Sequence, residues 1–224
     1  MINVSQRRLS IHLTSLCVDV PDHISLWGLR LAICQPFQQY ANVRPTRVFR
    51  GTQSPLRKCE SGDLDWVIVR ENSEGEYAGQ GGRSHKGKPW EISTEVSIFS
   101  RHAVERIMRF AFETAKKRPR KLLTVVTKSN AQRNGMVMWD EIAAEVAKEF
   151  PDVTVDKMLV DAMTVRMVMK PESLDTIVAT NLVSSGGCSL DEPYSDLCIP
   201  ACGYLVRFGC SVSRQYWHCP YLEH

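Results

Sequence analysis

Residues 122–151 read LLTVVTKSNAQRNGMVMWDEIAAEVAKEFP, and two periodicities follow one another within them. Leu122 to Lys128 is a short apolar run rich in β-branched residues, the pattern of a strand buried on both faces. Farther on, Trp139, Ile142, Ala143, Val146 and Phe150 recur at helical spacing until Pro151 stops them. A buried strand followed by an amphipathic helix is the repeating unit of a sheet covered by helices.

The same alternation extends in both directions. LDWVIVR (Leu64 to Arg70) is a second buried strand. Ser100 is positioned to cap a helix whose Val104, Ile107, Met108, Ala111 and Ala115 share one face, and Pro119 ends it. A strand near Val153 to Val160, a short helix after Asp161 and the run TIVATN (Thr176 to Asn181) complete an α/β pattern. These strands end in Arg70, Lys128, Asp161 and Asn181. In open α/β sheets a ligand sits outside the carboxyl ends of the strands. Any one of the four is adequately explained as a strand ending in a polar residue; together they mark a candidate site.

Composition bounds the rest. The chain has 224 residues, 43% hydrophobic and 24% charged, the profile of a soluble globular protein of one domain or two small ones. A net charge of +3, with the basic residues dispersed, does not argue for nucleic acid. No apolar run approaches the roughly 20 residues of a membrane helix. Of eight cysteines, Cys17, Cys34 and Cys59 are scattered, whereas Cys188, Cys198, Cys202, Cys210 and Cys219 crowd the end. With no apolar signal-peptide core, a reducing compartment is expected, hence a cytoplasmic location. The start, MINVSQRRLSIHLTSLC, loosely matches a transit peptide, which leaves a mitochondrial location as the alternative.

Five stretches now combine: YANVRP (Tyr40 to Pro45), IVRENSEGEYAG (Ile68 to Gly79), TKSN (Thr127 to Asn130), VDAM (Val160 to Met163) and ATNL (Ala179 to Leu182). In this order they resemble the isocitrate and isopropylmalate dehydrogenase superfamily. DHISLWG (Asp22 to Gly28) and GQGGRSH (Gly79 to His85) are similar to its tartrate dehydrogenase/D-malate dehydrogenase (decarboxylating) branch. The resemblance covers about residues 20–182. It implies an isopropylmalate dehydrogenase-like α/β fold, here truncated, with a sheet flanked by helices and a clasp arm. It implies NAD-dependent oxidation, with decarboxylation, of a 2-hydroxy dicarboxylic acid, aided by Mg2+ or Mn2+.

Residue by residue, the resemblance implies that Arg44 and Arg70 hold the substrate carboxylates, a task suited to the planar guanidinium. The bland alternative is a pair of solvated surface arginines. Tyr77 and Lys128 correspond to the acid–base pair, the lysine helping to remove the hydroxyl proton and the tyrosine protonating the enol after CO2 leaves. Read without the resemblance, Tyr77 is a packed aromatic. Asp161 corresponds to a metal ligand, whose hard oxygens suit Mg2+ or Mn2+, and Asn130 to a position near the nicotinamide. The family also implies a homodimer in which Lys128 and Asp161 reach into the partner's site. GEYAGQGGRSHKGKPWEIS (Gly75 to Ser93) matches the arm that clasps that partner.

The departures are as specific. Nothing before Val20 resembles the family's first strand and its GDGIGPE-like turn. Cys34 and Gln35 stand where many members carry an arginine, and a neutral stretch around Ser54 replaces a further arginine of isopropylmalate dehydrogenases, which suits a smaller substrate. After Leu182 the family's two further metal-binding aspartates and its adenosine loop do not follow, and a retained intron or shifted frame is the simplest cause. The expected organisation is therefore an unmatched, disordered start (1–20), a remnant of the first domain (21–50), a smaller α/β dimerisation and catalytic domain (51–182) and an unmatched Cys-rich tail (183–224). Cys198, Cys202, Cys210, His218 and Cys219 lack the regular pairing of a zinc site, so a disordered tail is expected. The alternative to an enzyme is an inactive fragment that serves only as a dimerisation module.

Overall fold

The computed structural model describes residues 21–49, 56, 62, 64–181 and 216–218. The expectations for residues 1–20, for Ser54 and for almost all of the tail lie outside these residues. The chain enters through a helical stretch: α1 (Asp22–Ser25), a π-helical segment (Leu26–Leu31) and α2 (Ala32–Cys34). There follow β1 (Ala41–Arg47), β2 (Asp65–Glu71), β3 (Gly75–Ser84), β4 (Ile92–Ile98), α3 (Arg101–Lys116), β5 (Leu122–Thr127) and α4 (Gly135–Ala147). β6 (Thr154–Leu159), α5 (Val160–Met169), β7 (Thr176–Ala179) and β8 (Tyr216–His218) complete the order.

Six strands form one sheet in the order β6-β5-β7-β2-β1-β8. β2, β7, β5 and β6 run parallel to one another, whereas β1 runs antiparallel to β2 and β8 pairs antiparallel with β1 at the far side. Because successive side chains of a strand point to opposite faces, each buried strand feeds two cores. Val67, Val69, Leu123, Val125 and Val178 join α3 and α4 in the larger core. Trp66, Ile68, Val126, Ile177 and Ala179 face the other way, toward Met163 of α5 and Leu174.

The helices form where the spacing placed them. Ser100 caps α3, its hydroxyl accepting from the Ala103 N–H at 3.2 Å, and the five residues assigned to the inner face are all buried. α4 ends at Ala147, before Pro151, but Phe150 still packs inward and stacks on Phe112 with ring centroids 5.3 Å apart. The strand at β1 has no counterpart in the sequence reading, because Pro45 interrupts its pattern; the strand is held by register with β2, Pro45 lying opposite Val67.

The arm is a separate two-stranded antiparallel hairpin, β3 with β4. Apart from the half-buried Glu91, its residues from Gly79 to Ile98 are exposed, including Trp90, Ile92, Val96 and Ile98. No helix among the described residues is long and apolar enough to cross a membrane.

Candidate active site

Parallel strands bring their carboxyl ends to one edge of the sheet, so the four polar residues marked in the sequence share that edge. Arg70 is the penultimate residue of β2, Asn181 follows β7, Lys128 follows β5, and Asp161 lies in the first turn of α5, after β6. β7 lies between β2 and β5, which sets the β2 and β5 ends roughly 10 Å apart, two strand spacings.

At the β2 end, Arg70 is only 3% exposed. Its Nε–H donates to Asn181 Oδ1 at 2.8 Å, and its guanidinium carbon lies 5.6 Å from the centre of the Tyr77 ring. Asn181 Nδ2 in turn donates to the Glu74 carbonyl at 2.9 Å. Arg44, 9% exposed, is on β1; in register Asn42 lies opposite Arg70, so Asn42 and Arg44 share the face of Arg70. Arg44 Nε donates to Asn42 Oδ1 at 3.0 Å. Two guanidinium groups are thus held on neighbouring strands, largely shielded from water, where hydrogen bonding to an anion is stronger than at an exposed surface. The reading of Arg44 and Arg70 as solvated surface side chains does not describe them.

Tyr77 is half-buried between two partners. Arg70 is one, and Trp27 of the π-helical segment is the other, its ring 6.5 Å away and tilted by 48°. Trp27 also lies against Gly79, whose φ is +71° and where a Cβ would come 3.1 Å from the indole. The left-handed φ favours glycine there, and a Cβ would require the exposed indole to shift by a few tenths of an ångström. The sequence reading used DHISLWG only for likeness and missed Trp27 as a neighbour of the site; a packing partner of this kind leaves no periodic signal.

At the β5 end, Lys128 Nζ forms an ion pair with Asp161 Oδ2, the two side chains being 29% and 69% exposed. Asn130 is exposed in the turn that follows, where Ala131 and Gln132 donate their N–H groups to the Lys128 carbonyl at 2.9 and 3.0 Å. The site residues therefore assemble as two groups, Arg44/Arg70/Tyr77 and Lys128/Asp161, with Asn130 beside the second. Neither of two cavities, of about 420 and about 600 Å3, is lined by members of these groups.

Behind Arg70, Glu71 points to the opposite face and is 4% exposed. Burial pushes its carboxyl above the ordinary 4.5, although the Ser73 hydroxyl, the Glu74 and Ser73 N–H groups and nearby Arg106 favour the charged form. The Glu74 carboxylate accepts from the Ser100 hydroxyl and the Ser100 N–H, both at 2.7 Å, which ties the turn after Arg70 to the start of α3.

Asp161 is a hard oxygen donor suited to Mg2+ or Mn2+. Among the described residues, no three His, Cys, Asp or Glu side chains converge on a possible metal position. Alone these residues do not fit a divalent cation, which would need further donors from elsewhere.

The Isocitrate/isopropylmalate dehydrogenase family model matches residues 21–186. The chain belongs to that family. Over 164 residues it is 78% identical to a probable tartrate dehydrogenase/decarboxylase from Agrobacterium vitis, a match that spans 73% of this chain and 46% of the relative. Over 163 residues it is 47% identical to the D-malate dehydrogenase [decarboxylating] of Escherichia coli strain K12, covering 73% and 45%. The fold is similar to the crystal structure of isocitrate dehydrogenase from Methylococcus capsulatus, with a TM-score of 0.64, 35% identity, and coverage of 70% of this chain and 45% of that one. The chain spans about half the length of the curated relatives it matches. For a member of this family, the parallel sheet with helices on both faces and the exposed hairpin are the expected architecture.

Proposed function

We propose that the chain carries the substrate-clamping and acid–base part of an NAD-dependent dehydrogenase that oxidises and decarboxylates a 2-hydroxy dicarboxylic acid of the D-malate or tartrate type. The observation that carries the reading is the buried Arg70, fixed by Asn181 at 2.8 Å and flanked by Tyr77, with Arg44 on the adjacent strand. Two buried cations side by side fit a ligand with two carboxylates. The relatives' names supply the class of acid.

In this reading Arg44 and Arg70 bind and orient the carboxylates. Tyr77, its phenol beside a guanidinium, is the acid that returns a proton to carbon after CO2 departs. Lys128 accepts the hydroxyl proton. NAD, when bound, would supply the hydride acceptor, and Asn130 would hold its nicotinamide end. Asp161 would contribute one oxygen to Mg2+ or Mn2+, which would need further donors. Lys128 and Asp161 serve the partner's site in a homodimer that the β3–β4 arm clasps; the separation of the two groups along the sheet supports this.

A second reading, a dimerisation module without activity, is favoured by the single metal carboxylate among the described residues. One experiment separates the two. The 224-residue chain, supplied with NAD, Mn2+ and D-malate or tartrate, is expected to form little NADH, and the chain extended to its relatives' length to turn over. In the extended protein, Lys128→Ala and Asp161→Ala should each lower kcat by roughly a thousandfold. Mixing Lys128→Ala with Arg70→Ala chains should restore about a quarter of the activity, since half the dimers are mixed and each has one intact site of two. Failure of complementation refutes the shared site, and an extended protein without turnover leaves the dimerisation module.

A further inference from the structure

We infer that Asn181 is a positioning residue, the group that sets the plane of the Arg70 guanidinium without placing a negative charge beside it. The inference rests on the reading of Arg70 as a carboxylate-binding residue. Asn181 is 1% exposed, and both ends of its amide are engaged. Oδ1 accepts from Arg70 Nε at 2.8 Å, and Nδ2 donates to the Glu74 carbonyl at 2.9 Å. Each neighbour permits only one orientation. A flipped amide would set NH2 against the Nε–H and oxygen against the Glu74 carbonyl, two repulsive contacts in a site closed to water.

The consequence for Arg70 is geometric. Nε, Cζ and both Nη atoms are coplanar, so fixing the direction of the Nε–H bond fixes the fork that binds a carboxylate. The Tyr77 ring, 5.6 Å from the guanidinium carbon, restrains the plane from another side. Asn181 is itself held in turn, because the Glu74 carboxylate is pinned by the Ser100 hydroxyl and N–H at 2.7 Å each. A path of hydrogen bonds therefore runs from the start of α3 through Glu74 and Asn181 to Arg70.

Residue type matters as well. An aspartate at 181 would also accept from Nε. It would neutralise the guanidinium, however, and would face the Glu74 carbonyl with an acceptor in place of a donor. Only a neutral amide satisfies both neighbours and leaves the cation uncompensated by its own support.

The test uses the full 224-residue chain, 15N-labelled, with D-malate as the probe. Two quantities are read: exchange of the Arg70 Hε with water, and D-malate affinity from an NMR titration. Asn181→Leu is expected to accelerate Hε exchange at least about tenfold and to weaken D-malate binding by about tenfold, the cost of one hydrogen bond to a charged group. In an Arg70→Lys background, which has no Nε, Asn181→Leu should change the affinity by less than about twofold, because the two residues act as one unit. Asn181→Asp should restore slow Hε exchange without restoring affinity. Unchanged Hε exchange in Asn181→Leu overturns the inference. So does an undiminished loss of affinity in the Arg70→Lys background, which is the mark of a merely structural role. Failure of the functional reading looks different: D-malate binding that is absent, or indifferent to Arg70→Lys, refutes the substrate role of Arg70, while Hε exchange still decides whether Asn181 orients it.

Discussion

Replacing Ser100 with alanine tests the junction that joins α3 to the candidate site. The hydroxyl has two tasks: it accepts from the Ala103 N–H at 3.2 Å and donates to Glu74 Oε1 at 2.7 Å. Loss of the cap costs about 1 kcal/mol. Loss of a hydrogen bond to a charged acceptor costs about 1.5–3 kcal/mol, with the low end appropriate because the site is only part-buried and water can reach the carboxylate. The Ser100 N–H to Glu74 Oε2 bond at 2.7 Å survives, since the backbone is unchanged. The expected destabilisation is about 2–3 kcal/mol, a fall in Tm of roughly 5–10 °C for a chain of this size. Thermal and urea unfolding followed by circular dichroism measure it. Ser100→Thr keeps both bonds and should lie within about 0.5 kcal/mol of the parent. A coupling of about 1 kcal/mol between Ser100→Ala and Glu74→Gln should isolate the hydroxyl–carboxylate contribution. A loss under about 0.5 kcal/mol for Ser100→Ala, or an equal loss for Ser100→Thr, refutes the assignment of Ser100 as both cap and tether.

Two further expectations concern the interior. Burial raises the folded-state pKa of Glu71 above the ordinary 4.5, so its contribution to stability is fully present below that value and is lost as pH rises through the folded pKa. Urea midpoints measured from pH 4 to pH 7 should therefore show the parent losing stability relative to Glu71→Gln as pH rises, and a constant or opposite trend contradicts the raised pKa. Ile107, fully buried between α3 and the sheet, should cost about 2–5 kcal/mol as Ile107→Ala, read from the urea midpoint; a change below about 1 kcal/mol means that the larger core is not packed as described.

The sequence by itself determined what short-range periodicity and local chemistry can specify. Apolar β-branched runs became β2, β5 and β7, the inner face of α3 was named residue by residue, and Ser100 was recognised as its cap, because strand burial and helix capping depend on neighbours within a few positions. It also placed Arg70, Lys128, Asp161 and Asn181 at strand ends, and its motifs carried the family. Which of those ends meet depends on strand pairing. Arg70 bonds Asn181 across 111 positions because β2 pairs with β7, and Lys128 reaches Asp161 because β5 pairs with β6. β1 is a strand despite Pro45 because β2 supplies its register, and Trp27 meets Tyr77 because the entering helical stretch packs against β3. Pairing order, burial of charge and the orientation of a guanidinium arise from contacts distant in sequence, and a pattern with a period of two or 3.6 residues carries no record of them.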